Sequence, residues 1–233
     1  MKKKQLAKLG VTLGLVAAVG VGGTLAVLSQ TSGPVTNTFA VGKNINENDF
    51  FLQEHEVELK NGNYEEKEDA QWTYANSYDN LLPKATLDKD PTVRFAEDLE
   101  EGKTPDVYMF VKVEGLDELK NNKITLNDWG NEWELVKIQD ETATSVPVNK
   151  DTAVDGIYVY KTTNQNEYKI TPTAGLTLGS LFTELSVASN FAADSFTQKT
   201  IRAWACAVQY DNVDLTEAYN TAKAQFDTIT DQP

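Results

Sequence analysis

The chain has 233 residues, with 21 basic and 35 acidic side chains and a formal net charge of −14 at pH 7. Such an acidic chain is poorly suited to nucleic acid, because phosphate contacts need clustered Lys and Arg. A single Cys excludes an intramolecular disulfide framework and a cysteine-rich zinc site. Hydrophobic residues make up 40% of the chain, which is too many for a wholly disordered protein. We therefore expect one folded domain with no nucleic-acid partner and no cofactor.

The first 26 residues have the pattern of a secretory signal peptide. Four lysines open it, and no charged residue occurs from Leu9 to Leu28. Thr24 and Ala26 put small residues at the −3 and −1 positions of a predicted cleavage between Ala26 and Val27. The 20-residue apolar run is also long enough to cross a bilayer, so an uncleaved anchor is the alternative. We expect secretion, with a signal peptidase as partner during export and membrane contact only through the uncleaved signal.

Cleavage would make the exported protein more acidic. Removal of the four signal lysines leaves 17 basic and 35 acidic residues, a net charge of −18. With one Cys, the exported chain cannot form an internal disulfide. Cys206 lies between two alanines in an apolar run, which predicts a buried, unreactive thiol.

The exported part begins with a predicted strand in residues 27–43, ahead of a domain predicted for residues 44–233. Alternate residues of this strand share one face, because side chains alternate along a strand. They are Val35, Asn37, Phe39 and Val41. Residues 53–59 predict a polar edge strand. The Asn- and Glu-rich residues 60–80 predict an exposed excursion with a turn at Asn61-Gly62.

Several later segments carry stronger strand patterns. Residues 107–113 are almost continuously apolar, which predicts a strand buried on both faces. Further strands are predicted at residues 92–95, 133–138 and 200–210. Residues 157–161 and 168–171 predict a hairpin, and residues 176–187 an irregular crossing.

Helix patterns are few. Residues 116–120 predict a short helix, and Asp214 opens a C-terminal helix whose apolar face holds Leu215, Ala218, Ala222 and Phe226. Eight or nine short strands at frequent turn signals are typical of a sandwich. The predicted fold class is all-β, an antiparallel jelly-roll sandwich with short helical segments and a C-terminal helix.

Three stretches of the chain resemble the TasA/camelysin family. The first is Gly22-Gly23-Thr24-Leu25-Ala26 followed by residues 35–42, Val-Thr-Asn-Thr-Phe-Ala-Val-Gly. The others are residues 83–93 with 106–113, and residues 201–218. The resemblance implies an exported protein of Gram-positive bacteria, processed by a SipW-type signal peptidase. It also implies a jelly-roll domain that serves in the extracellular matrix of biofilms.

The resemblance further implies self-assembly into fibres, in which the N-terminal strand of one subunit completes the sheet of the next. On this chain the donated strand would lie within residues 27–43. The residues permit this, because a strand tethered at one end can pair with an open sheet edge on a neighbour. Such head-to-tail contacts propagate as an open filament. The alternative is an ordinary first strand paired within its own sheet.

Enzyme chemistry finds little support in the residues. Camelysin is a surface metallopeptidase, but a zincin site needs two His residues, and this chain has only His55, between Glu54 and Glu56. Ser–His–Asp catalysis would also have to use His55, and no Gly-x-Ser-x-Gly motif is present. We expect no catalytic residue and no metal site. A camelysin-like surface metallopeptidase and a monomeric surface adhesin or binding module stay as alternatives.

Overall fold

The computed structural model describes residues 48–100, 104–162, 167–192, 196 and 198–228. Within these residues the chain forms thirteen strands and two helices. The first seven strands are β1 (Phe50–His55), β2 (Val57–Lys60), β3 (Asn63–Glu66), β4 (Trp72–Thr73), β5 (Thr86–Asp88), β6 (Thr92–Phe95) and β7 (Val107–Glu114). After helix α1 (Leu116–Asn121) come β8 (Ile124–Leu126), β9 (Trp133–Gln139), β10 (Thr142–Pro147), β11 (Gly156–Tyr160), β12 (Glu184–Val187), β13 (Arg202–Gln209) and helix α2 (Leu215–Thr228).

The described strands form three sheets. The large sheet has the order β10-β9-β11-β7-β13, and a second five-stranded sheet has the order β2-β3-β5-β12-β8. A small sheet has the order β4-β1-β6. Pairing is antiparallel except between β3 and β5, where Tyr64 lies opposite Leu87 in a parallel pair. The fold is therefore mostly β with a C-terminal helix, as predicted, and the parallel pair departs from the prediction.

The main core draws apolar side chains from all three sheets. It includes Phe50 of the small sheet, Leu87 and Leu185 of the second sheet, and Met109 and Trp133 of the large sheet. All five side chains are at most 3% exposed. The large sheet thus buries one face against the two other sheets, which supplies most of the hydrophobic stabilisation.

A second core lies on the other face of the large sheet, beneath helix α2. Strand β7 contributes Tyr108 and Phe110, and α2 contributes Ala218, Ala222 and Phe226. The helix residues recur at intervals of four, so they share one face. The side chain of Asp214 accepts the backbone N–H of Glu217 at 2.9 Å and caps the helix start. Strand β7 is buried on both faces, as its continuous apolar run predicts.

The exposed excursion predicted over residues 60–80 is confirmed in part: only Tyr64 is buried, but the segment also contains β3 and β4. The turn at Asn61-Gly62 forms, with φ of +53° and +88°, and it folds β3 back on β2. Tyr64 then points inward and is only 7% exposed. The predicted strand over residues 53–59 is divided at Glu56, whose N–H donates to Gln71 O at 2.9 Å. Its first part, β1, is central in the small sheet, whereas its second part, β2, is an edge strand of the second sheet, as predicted.

The predicted hairpin over residues 157–171 forms only at a single bridge, between Thr162 and Glu167. Strand β11 already pairs on both sides, with β7 and β9, so no edge is left for residues 168–171. Ile170 instead exchanges two hydrogen bonds with Val107, at 2.8 and 2.9 Å. The irregular crossing predicted over residues 176–187 is confirmed up to β12. Among the described residues no helix is both long and apolar enough to span a membrane.

Buried phenols predict a loss of stability at alkaline pH. Burial raises the pKa of Tyr108 and of Tyr158 to about 12, against about 10 in an unfolded chain. Above pH 10 the unfolded chain therefore releases phenol protons that the folded chain retains, and stability falls as pH rises toward 12. We expect the urea midpoint to fall between pH 10 and pH 12. Tyr108→Phe should weaken that dependence; an unchanged midpoint in the wild-type protein would contradict the prediction.

Candidate functional site

The site residues predicted from the sequence lie outside the described residues. They are Ala26 and Val27 at the cleavage site, and Val35, Asn37, Phe39 and Val41 on the candidate donated strand. The described residues instead show which sheet edges such a strand could join. The candidate functional site is therefore the outer edge of β13, the last strand of the large sheet.

The hydrogen bonds of β13 show which backbone groups point outward. Tyr210 N–H donates to Asp106 O at 2.9 Å, and the register with β7 continues without interruption back to Arg202. Backbone groups alternate in direction along an antiparallel strand. Every second residue of β13 therefore turns its N–H and C=O away from β7. These are Ala203, Ala205, Ala207 and Gln209. No strand within the described part of the chain pairs with this side of β13.

The side chains of this edge are alanine methyl groups, apart from Gln209 at its end. Ala205 and Ala207 are fully buried in the main core, and Ala203 packs against it. On the opposite face, Trp204 and Cys206 pack in the core beneath α2. A largely apolar strand that no other described strand pairs with on one side is a template for pairing with another strand.

The opposite edge of the same sheet is protected. Its outer strand, β10, ends in Pro147, which has no N–H to donate. Ala143 N–H donates to the side chain of Thr216 on α2 at 3.0 Å. Charges, short strands and proline are the usual means of blocking a sheet edge. The large sheet is thus blocked at its β10 edge, whereas no described strand pairs with the outer side of β13, where Ala205 and Ala207 are fully buried.

The other sheets also have short or covered edges. Strand β2 carries the exposed side chain of Glu58 and its partner Lys60, and β8 has only three residues. The outer side of β6 is covered by an irregular segment, because Leu178 N–H donates to Val93 O at 2.9 Å. Among the described strands, β13 therefore offers the longest unpaired apolar edge.

Strand β1 lies close to β13 and also has unpaired backbone groups. Asp49 O accepts from Ala96 N–H beside β6, so the backbone of Phe50 and Leu52 points the other way. The strand opposite that side, β4, pairs only with Glu54 and His55. Phe50 and Leu52 share the main core with Ala205 and Ala207 of β13. Two unpaired strand segments thus border the same core.

The single histidine lies at the end of β1, on the other side of the small sheet from Glu54. Asp90 accepts the backbone N–H of His55 at 2.8 Å and lies 2.6 Å from its ring Nδ1. The His55 ring packs against Trp72, with 3.8 Å between ring centroids and an angle of 34° between the ring planes, and Arg94 lies 4.4 Å from the Trp72 ring. This arrangement fixes the histidine from several sides.

A cavity of about 510 Å³ adjoins His55 and Asp90, and Ser180 also lines it. The hydroxyl of Ser180 is bonded to Thr92 Oγ1 at 2.8 Å, and no hydrogen bond joins Ser180 to His55 among the described contacts. The Asp–His pair lacks an aligned nucleophile in this geometry. Within the described residues no three His, Cys, Asp or Glu side chains are grouped to hold a metal ion.

The remaining candidate groups are structural. Cys206 is fully buried, as predicted, and burial raises the pKa of its thiol well above the usual range. Three of the four tryptophans, Trp129, Trp133 and Trp204, are at most 8% exposed and belong to the cores, which leaves no row of exposed indoles in the described residues.

The sequence of β13 gives only a weak indication that this strand lies at a sheet edge. The alternation Ala203, Ala205, Ala207 shows that one face carries only methyl groups, but sequence does not show which strands end up at a sheet edge. Comparisons of the chain with protein-family models, with curated proteins and with solved structures return no match.

Proposed function

We propose that the chain is an exported, non-enzymatic structural protein of the extracellular matrix or cell surface, which self-assembles by strand addition. The N-terminal strand of one copy, within residues 27–43, adds to the outer edge of β13 in the next copy. The observation that carries this proposal is that no described strand pairs with the outer side of β13, whereas the β10 edge is blocked.

Several features of the chain support this pairing. Val35, Phe39 and Val41 give the N-terminal strand an apolar face. The methyl groups of β13 leave space for larger side chains on an adjoining strand, and such cross-strand pairs stabilise sheets. Strand β1 lies close to β13 as well, and no described strand pairs with the backbone of Phe50 and Leu52 on that side.

The length of the N-terminal segment is sufficient for exchange between copies. Between the predicted cleavage site and Asn48 lie 21 residues. Extended, such a segment spans about 70 Å, roughly 3.3–3.6 Å per residue. Signal cleavage would release the segment, because it lies directly after the membrane-inserted part of the precursor.

The proposal also specifies how the sheets are arranged in the domain. We assign the two five-stranded sheets as the facing sheets of a jelly roll, with the main core between them. Adding a strand to β13 would extend one of these sheets, and each added copy would carry a new open edge. Repetition of this heterologous contact gives an open filament.

The test is assembly of the mature protein beginning at Val27. We expect filaments by electron microscopy, and we expect deletion of residues 27–41 to abolish them while the domain keeps its circular dichroism spectrum and urea midpoint. The deleted protein should act as a chain terminator when mixed with the full mature chain, because it accepts a strand but donates none.

Other outcomes would favour the alternatives. A mature protein that stays monomeric at all salt concentrations and pH values contradicts the proposal and favours a monomeric adhesin or binding module. Filaments that survive the deletion contradict strand addition by this segment. Casein cleavage that is lost with a chelator would instead favour a camelysin-like metallopeptidase.

A further inference from the structure

A second cavity, of about 560 Å³, opens beside the first residues of β13. Its apolar wall belongs to the main core and contains Leu81, Leu119, Ile124, Leu185, Phe191 and Ile201. The rim is polar, with Asn76, Lys89 and Lys199 among its residues. The volume falls within the range of about 300–1,000 Å³ typical of protein pockets that bind small ligands, so an aromatic ring can enter.

The position of this cavity relates it to the open edge. Ile201 lies in the cavity wall and directly precedes β13. Because alternate residues of a strand share one face, its side chain points to the same face of the sheet as those of Ala203 and Ala205. Side chains of an added strand that lie opposite these residues point to the same face of the sheet. A strand that joins the outer edge of β13 therefore directs every second side chain toward the main core. The side chain of that strand that lies next to Ile201 points toward the cavity.

We infer that the cavity receives Phe39 from the N-terminal strand of a second copy, and that this contact sets the register of assembly. The inference rests on the proposed strand addition. Phe39 is the only aromatic residue between Val27 and Asn48, so it is the bulkiest side chain that the segment can insert. A buried aromatic side chain in a pocket is the usual anchor of a protein interface.

The register follows from antiparallel pairing, which all but one of the strand pairs here adopt. If residues 35–39 cover residues 201–205 in antiparallel fashion, Phe39 lies opposite Ile201 and Asn37 opposite Ala203. The ring of Phe39 then lies beside the cavity wall. A slip by one residue would turn Phe39 to the opposite face.

The experiment compares variants of the mature chain beginning at Val27. Phe39→Ala should raise the critical concentration for assembly about 30-fold or more, since truncated anchors of this kind weaken interfaces strongly. Thr38→Ala, on the opposite face of the same strand, should change it little. Ile201→Trp, which fills the cavity from the acceptor side, should also impair assembly, and Phe39→Ala should partly restore it in the double variant.

The outcomes separate the inference from the function on which it rests. If the wild-type protein fails to assemble, the proposed function is wrong. If it assembles through residues 27–41, but Phe39→Ala and Thr38→Ala behave alike, only the cavity assignment is overturned. If Phe39 enters the cavity of its own chain instead, Phe39→Ala should lower the stability of the monomer in urea, which also overturns the exchange between copies. Circular dichroism tests whether Ile201→Trp is folded. If that variant is unfolded, the cavity assignment is judged from the critical concentrations of Phe39→Ala and Thr38→Ala alone.

Discussion

Replacing Ala203 by proline should prevent assembly while leaving the domain folded. The backbone N–H of Ala203 points to the open edge and takes no part in pairing with β7. Proline removes this donor, and proline is tolerated on edge strands where the N–H faces outward. The added strand would then bury a carbonyl without a partner, at a cost of about 1–3 kcal/mol. This corresponds to a rise in critical concentration of about 10- to 100-fold, measured by sedimentation of filaments.

A variant at the same position provides the control. Ala203→Ser keeps the N–H and adds one hydroxyl to a half-buried side chain, so we expect assembly close to wild type. Equal assembly by Ala203→Pro and the wild-type protein, with both folded, would show that the outer edge of β13 is not the acceptor. Equal loss in both variants would show that the position is sensitive to any substitution.

Replacing Lys89 by methionine should destabilise the domain by about 3 kcal/mol or more, because it leaves a buried carboxylate without its cation. Lys89 Nζ lies 2.5 Å from Glu54 Oε2, and the two side chains are 13% and 6% exposed. The other oxygen of Glu54 accepts the backbone N–H of Asn76 at 2.9 Å. Loss of the pair should also loosen the segment around Asn76. Urea unfolding gives the change in the free energy of unfolding.

The double variant Glu54→Gln/Lys89→Met separates the burial of a lone charge from the loss of packing. It should recover much of the stability, because no unpaired charge stays buried. Lys150→Met removes the cation of an exposed pair with Asp151 and should cost about 0–1 kcal/mol. Equal effects of Lys89→Met and Lys150→Met would contradict the assigned burial of the Glu54–Lys89 pair.

Much of the fold was predictable where hydrophobic patterns are long. Strand β7 was evident from its continuous apolar run, and helix α2 from the spacing of Ala218, Ala222 and Phe226. The burial of Cys206 followed from its apolar neighbours. These features depend on short-range periodicity, which a single sequence displays directly.

The remainder depends on contacts that are distant in sequence. Residues 63–66 read as a polar excursion because three of the four are Asn or Glu, yet Tyr64 anchors them to the core and β5 lies alongside. Residues 168–171 have a strand pattern, but both sides of β11 are already occupied. The candidate site was not predictable from the sequence for the same reason. Tertiary packing, and not the strand's own residues, decides which strand lies at the edge of a sheet.

The burial of the large sheet on both faces limits the kind of fibre that this protein can build. Helix α2 covers one face and the other sheets cover the opposite one, so no face is left for stacking against a second sheet. Amyloid fibrils require such dry contacts between sheets, which repeat at about 10 Å in diffraction. A polymer grown from the β13 edge would instead be a string of intact globular subunits. It should gain no contacts between stacked sheets of different subunits, and it should dissociate into folded monomers.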